Sequence, residues 1–195
     1  KWSESIDNSP TIVGNLADNI LKTLRVSTKQ DIKKVSTSNP EAYEYYLRAY
    51  YLFHKRETME DIEIVGGLID KAITLDDSLL IAKRLLGNLY KELGDDVEAM
   101  AIYTVLLKQA EEMEDIYLVG LILQDIGIVY SRKGEDDKML EYFNRAYKIF
   151  EEFGNKRDMI AALGGIGDYY NNIGDYDKAM EVYNRIIKMA EELGD

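Results

Sequence analysis

The side chains able to do chemistry are few, and their types and spacing remove most function classes at once. The chain of 195 residues has one histidine, His54, and no cysteine. Imidazole acid–base catalysis has a single source, and thiolate nucleophiles, thiolate metal sites and disulfides have none. One histidine makes a poor metal site. His54 closes a stretch of helical periodicity, where it interacts with the negative end of the helix dipole. Carboxylates cluster at Asp76-Asp77, Asp95-Asp96 and Glu135-Asp136-Asp137, all at helix ends and none with the spacing of a calcium loop. Glu111-Glu112, Glu151-Glu152 and Glu191-Glu192 recur at a fixed interval, so they read as solvated faces rather than as a paired acid and base. Phosphate loops, nucleophile elbows and zinc signatures are missing from the sequence. The expectation is therefore a non-enzyme with no catalytic residue, no cofactor and no metal ligand.

Bulk properties narrow the partners. Thirty-six acidic against 24 basic residues give a formal charge of −12, which opposes binding to nucleic acid or to an anionic membrane surface. A hydrophobic fraction of 46% with 31% charged residues is a globular composition. Uncharged runs stop at about ten residues, too short for a membrane-spanning helix or a usual secretory signal. A cytoplasmic location is the expectation.

The elements that must position any site are repeated. Gly87, Gly127 and Gly167 recur at a spacing of 40, and so do Tyr90/Tyr130/Tyr170, Gly94/Gly134/Gly174, Tyr103/Phe143/Tyr183 and Lys108/Lys148/Lys188. Leu85, Leu86, Leu89, Tyr90 and Leu93 keep the three-or-four spacing of one helical face. Gly94 ends that helix, and Asp95 with Glu98 predicts an N-cap and capping box for the next. The same punctuation stands at Gly134-Glu135 and Gly174-Asp175. Each copy is thus an antiparallel helical hairpin, and stacking neighbours is the way such hairpins bury their apolar faces. Glycines inside helices cost roughly 1 kcal/mol each against alanine. Their role at 87, 127 and 167 is close helix approach.

A more degenerate copy begins at Asn39-Pro40-Glu41, an N-cap followed by proline at the first helical position. Its helices are expected over 41–56, which is rich in tyrosine, and over about 60–75. The tyrosines are read as core, partly against an amphipathic helix over 10–26 carrying Ile12, Val13, Leu16, Ile20 and Leu24.

Leu86-Gly87-x2-Tyr90 with Ala99 and Tyr103, Ile126-Gly127-x2-Tyr130 with Met139, Phe143 and Ala146, and Ile166-Gly167-x2-Tyr170 with Ala179 and Tyr183 resemble the signature of the tetratricopeptide repeat (TPR) family. The early tryptophan of that family is absent, Met139 replaces a small residue, and the period of 40 exceeds the usual 34. The resemblance implies an all-α fold, a right-handed α-solenoid of antiparallel helix pairs. Residues 1–39 would be the tail of a preceding domain, and 40–195 an array of about four repeats (40–78, 79–118, 119–158 and 159–195). The stretch from Trp2 to Arg48 is similar to a junction in bacterial signalling proteins, where a TPR array follows other domains, adenylate or guanylate cyclases among them.

The resemblance also implies a site. In this family the first helix of each pair lines a concave groove that binds a protein, peptide or partner helix. The matching positions are Arg84, Asn88 and Lys91, then Gln124, Ile128 and Ser131, then Asp168, Asn171 and Asn172. Amide side chains both donate and accept, which suits recognition of an extended peptide. A clamp for a terminal carboxylate is not expected, because Asp125, Ala161 and Gly165 stand where basic or amide residues are needed. The leading expectation is a non-catalytic interaction module regulating a neighbouring domain; the alternative is a sensor for a small ligand or signalling peptide. The apolar residues Val182, Ile186, Ile187, Met189 and Leu193 in the last repeat, with no polar cap after them, suggest either a homodimer or further repeats downstream in a parent protein.

Overall fold

The computed structural model describes residues 37, 39–56 and 58–194. The expected helix over 10–26, most of the linker after it and the junction beginning at Trp2 lie outside them. Eight α-helices and no strands are found among the described residues. They fall into two compact units, divided after Asp95.

The first unit contains α1 (Pro40–Lys55), α2 (Met59–Leu75) and α3 (Leu80–Glu92). The Asn39 side chain accepts from the amides of Glu41 and Ala42, with Pro40 opening the helix as expected. α2 starts at a capping box between Thr58 and Asp61, a signal overlooked in the sequence. The core of this unit joins Ala49 and Phe53 of α1 to Val65, Leu68 and Ile69 of α2 and Leu85 and Leu89 of α3. Tyr43 is buried among Ala42, Ala72, Leu79 and Ala82, which bears out packing as the role of that ring. His54 lies at the end of α1, its ring 4.3 Å from that of Tyr50 and Nδ1 2.8 Å from the Tyr50 carbonyl oxygen.

The second unit contains α4 (Asp96–Glu112), α5 (Ile116–Arg132), α6 (Asp136–Phe153), α7 (Lys156–Asn172) and α8 (Tyr176–Leu193). Asp115, Asn155 and Asp175 cap α5, α7 and α8 through their side chains. Glu135 does not cap α6. One methylene longer than aspartate, it pairs instead with Lys138 Nζ at 2.5 Å. Gly134 and Gly174 close α5 and α7 with φ of 68° and 79°, the left-handed region that a Cβ disfavours. Glu114 occupies the same region at φ 56°, where the next two copies have Gly154 and Gly194.

Packing in this unit turns on aromatic rings of the second helix of each pair, set against glycines of the first. A Cβ on Gly127 would stand 3.2 Å from the Phe143 ring, and one on Gly167 2.5 Å from that of Tyr183. Phe143 also fills the space over Gly165, where a Cβ would lie at 2.3 Å. One ring on α6 is thus held between α5 and α7, and it is 4% exposed. Burying a side chain of this size contributes roughly 1.5–3 kcal/mol. Met139, the departure from a small residue, is wholly buried. On α8, Tyr176, Met180, Ile187 and Leu193 are exposed, whereas Met189, read from sequence as part of an open strip, is buried.

Candidate functional site

The first helices of successive pairs are neighbours within each unit, α1 beside α3 and α5 beside α7. Their faces carry the expected groove residues, and the two units hold them in different chemical states.

On α3, Lys91 is 8% exposed. Its Nζ donates to Asn88 Oδ1 at 3.1 Å, so that amide belongs to the support of a buried cation. Arg84 is half-buried, and its charge acts on Tyr46 of α1. Burial pushes the Tyr46 hydroxyl well above the usual phenol range, Tyr50 adds to the shift, and Arg84 opposes it. The ring series Tyr43, Tyr46 and Tyr50 runs along α1 with centroids 5.8 and 6.0 Å apart. Tyr50 is 47% exposed. The α1–α3 face therefore combines aromatic rings with a guanidinium.

On α5, Gln124, Ile128 and Ser131 are all half-buried. The Gln124 carbonyl oxygen is out of contact with solvent and accepts no hydrogen bond. On α7, Asp168, Asn171 and Asn172 are exposed. Asp168 accepts from the Tyr183 hydroxyl at 2.8 Å. Burial first, and that carboxylate second, raise the pKa of Tyr183. Asn172 Nδ2 donates to Asp136 Oδ1 at 3.1 Å, linking α7 to the start of α6. Of the three α7 positions, Asn171 is the one with neither of these ties.

The Asn172 contact is one of a series that the sequence reading missed. Arg56 Nη2 donates to Glu92 Oε2 at 2.8 Å in the first unit. In the second, Arg132 Nη1 lies 3.3 Å from Asp96 Oδ1. Residues 56, 96 and 136 are one column of the 40-residue period, and 92, 132 and 172 are another. The signal was present as two columns of complementary polar residues, but it carries no sequence motif. At the other end of α5, Tyr117 donates to Asp158 of α7. Asn155 Nδ2 donates to the Tyr117 hydroxyl at 2.7 Å and to Asp158 at 2.8 Å. These bonds tie the start of α5 to the start of α7, while the ends of α5 and α7 are tied to α4 and α6.

A cavity of about 300 Å³ opens between α1 and α2, lined by Glu41, Tyr45, Gly67, Asp70, Lys71, Thr74 and Leu75. Partial burial raises the pKa of Asp70. The lining offers neither a nucleophile with a base nor a phosphate cradle. Among the described residues, no group of three or more His, Asp or Glu side chains is placed to hold a metal ion. No helix there is long and apolar enough to cross a membrane.

Paired helices in a fixed 40-residue register, stacked through glycine–aromatic contacts, define an all-α solenoid of helical hairpins. Residues 84–117 and 118–192 match family models described as tetratricopeptide repeat. More than half of the chain lies in these repeats, and the chain belongs to the tetratricopeptide repeat family. Among solved structures, aspartyl phosphate phosphatase F from Bacillus subtilis is similar with a TM-score of 0.69 and 20% identity, over 79% of this chain and 41% of its own. A Rap protein complexed with Competence and Sporulation Factor gives 0.70 and 20%, over 86% and 47%. BtubC from P. vanneervenii gives 0.68 and 15%, over 93% and 80%. The chain thus spans less than half the length of the first and the Rap protein, and at such identities these likenesses concern the fold. None of the curated proteins matches the sequence.

Proposed function

We propose that this chain is a non-catalytic interaction module that binds a peptide or partner helix along the faces of its first helices, as the regulatory part of a larger bacterial signalling protein such as a nucleotide cyclase. The observation that carries the reading is the α5–α7 face. Ile128 and Ser131 lie on α5 and Asn171 on the neighbouring α7, and the two helices are tied together at their starts by the bonds among Tyr117, Asn155 and Asp158. Such a face offers an apolar contact beside a hydroxyl and an amide, the donors and acceptors an extended chain needs. Tetratricopeptide repeat proteins are in general scaffolds for protein–protein interaction. A second reading, a sensor for a signalling peptide or small ligand, draws on the neighbour solved with Competence and Sporulation Factor.

The test is selection of a random displayed peptide library on the chain, followed by titration of the selected peptides. Ile128→Glu combined with Asn171→Ala should weaken them by tenfold or more, a loss of about 1.4 kcal/mol, while the helical circular-dichroism spectrum is retained. Equal binding by that variant would place recognition elsewhere. A small molecule that raises the melting temperature where no peptide is selected would favour the sensor reading.

A further inference from the structure

The exposed face of α4 departs from its own repeat. Val97 is 75% and Val105 61% exposed, and Ala101 between them is exposed too. Thr104, beside this ridge, turns its hydroxyl back to the Met100 carbonyl at 2.8 Å. In α6 the same columns are Asp137, Glu141 and Arg145, and in α8 they are Asp177, Glu181 and Arg185. All six of those residues are exposed. Both helices form in the same register with charges there, so folding does not require apolar groups at these positions. One repeat has exchanged three charged columns for a continuous apolar ridge, the kind of surface that gains free energy only when something covers it.

We propose that this ridge is a contact between two copies of the chain, packed about a two-fold axis beside Ala101. An isologous contact needs a surface that matches its own image. Val97 and Val105 lie at equal steps on either side of Ala101, so the two-fold sets each valine against the other valine of the second copy. Residues four apart form the ridges that interdigitate when helices cross at about −50°, and alanine at the crossing point lets the backbones approach. Charge favours the same place. With a formal charge of −12 two copies repel, and α4 lacks the Asp and Glu that α6 and α8 carry in these columns. The ridge is short, which puts the contact at the small end of specific interfaces, below about 1,200 Å² in total, and makes the association weak.

Sedimentation velocity of the whole chain over a wide concentration range tests the proposal, independently of the groove reading. The expected result is a monomer that dimerises as concentration rises. Val97→Asp, Ala101→Glu and Val105→Arg together install residues the chain already uses in α6, so helicity and melting should hold while the dimer is lost. Ala101→Cys alone, in a chain without cysteine, should give a disulfide-linked dimer on oxidation, because each copy meets its own twin at that position. A wild-type chain that stays monomeric at every concentration overturns the proposal. So does association that survives the triple substitution and disappears instead with Met180→Glu and Ile187→Lys, which would assign it to α8.

Discussion

Adjacent glycines on α7 provide a test in which one substitution should stabilise and its neighbour should not. Gly164 has open space where a Cβ would go, with nothing within 4 Å. Alanine there should recover most of the helix propensity that glycine forfeits, about 1 kcal/mol. At Gly165 the same methyl would lie 2.3, 2.4 and 2.5 Å from three carbons of the Phe143 ring. Ordinary carbon contacts are about 3.5–4.0 Å, so the ring must retreat by about 1 Å. Behind it stands α5, with the Cβ position of Gly127 only 3.2 Å from that ring. Overpacking costs about 1–3 kcal/mol. An overlap this large belongs at the upper end, leaving a net loss of about 2 kcal/mol after the propensity gain. The two variants should therefore differ by about 3 kcal/mol, or about 1.5 M in urea midpoint for a slope near 2 kcal/mol/M. Pairing Gly165→Ala with Phe143→Leu should restore part of the loss, a coupling readable in a double-mutant cycle. A Gly165→Ala midpoint that rises together with that of Gly164→Ala would refute the account of Phe143 as a ring held between two helices.

Three further outcomes follow from single residues. Glu114→Gly should raise the thermal midpoint, since a side chain at φ 56° costs about 1–2 kcal/mol and the next two copies use glycine there. Gln124→Met removes a carbonyl oxygen that is buried without a hydrogen bond, so denaturation should find the variant equal to or more stable than wild type by up to about 1 kcal/mol. Bonds from Ser78 and then Thr37 hold the Asp76 carboxyl below its ordinary pKa. Its contribution is therefore complete above the ordinary carboxylate range and is lost as pH falls through the lowered folded-state value. Asp76→Asn should flatten that acid-side loss in a series of urea midpoints against pH.

The helices and their register were legible because they rest on local signals: the recurring glycines, the apolar spacing and caps such as Asn39 and Asp175. Glu135 departs because capping depends on side-chain length as well as charge. Site residues were read less well, for a physical reason. The period shows which face a residue occupies but not what its side chain touches, so Asn88 and Asn172 looked solvated until Lys91 and Asp136 were seen beside them. Gln124 looked like an amide free to recognise a peptide, and its oxygen is turned away from solvent. The apolar ridge on α4 was visible in the columns as well, but it stood out only once its side chains proved exposed among the described residues.

The polar links between successive pairs bear on how such an array can grow or shrink. Arg56 faces Glu92, while the next link reverses the signs, with Asp96 facing Arg132. Each link spans 36 residues, so loss of residues 57–96 as one repeat length would bring Arg56 opposite Arg132. Loss of residues 97–136 would instead set Asp96 against Asn172, an acceptable partner. The hairpins are alike in shape but not interchangeable in order. Their partly exposed charges favour some deletions and duplications over others, by about 1 kcal/mol or less per link.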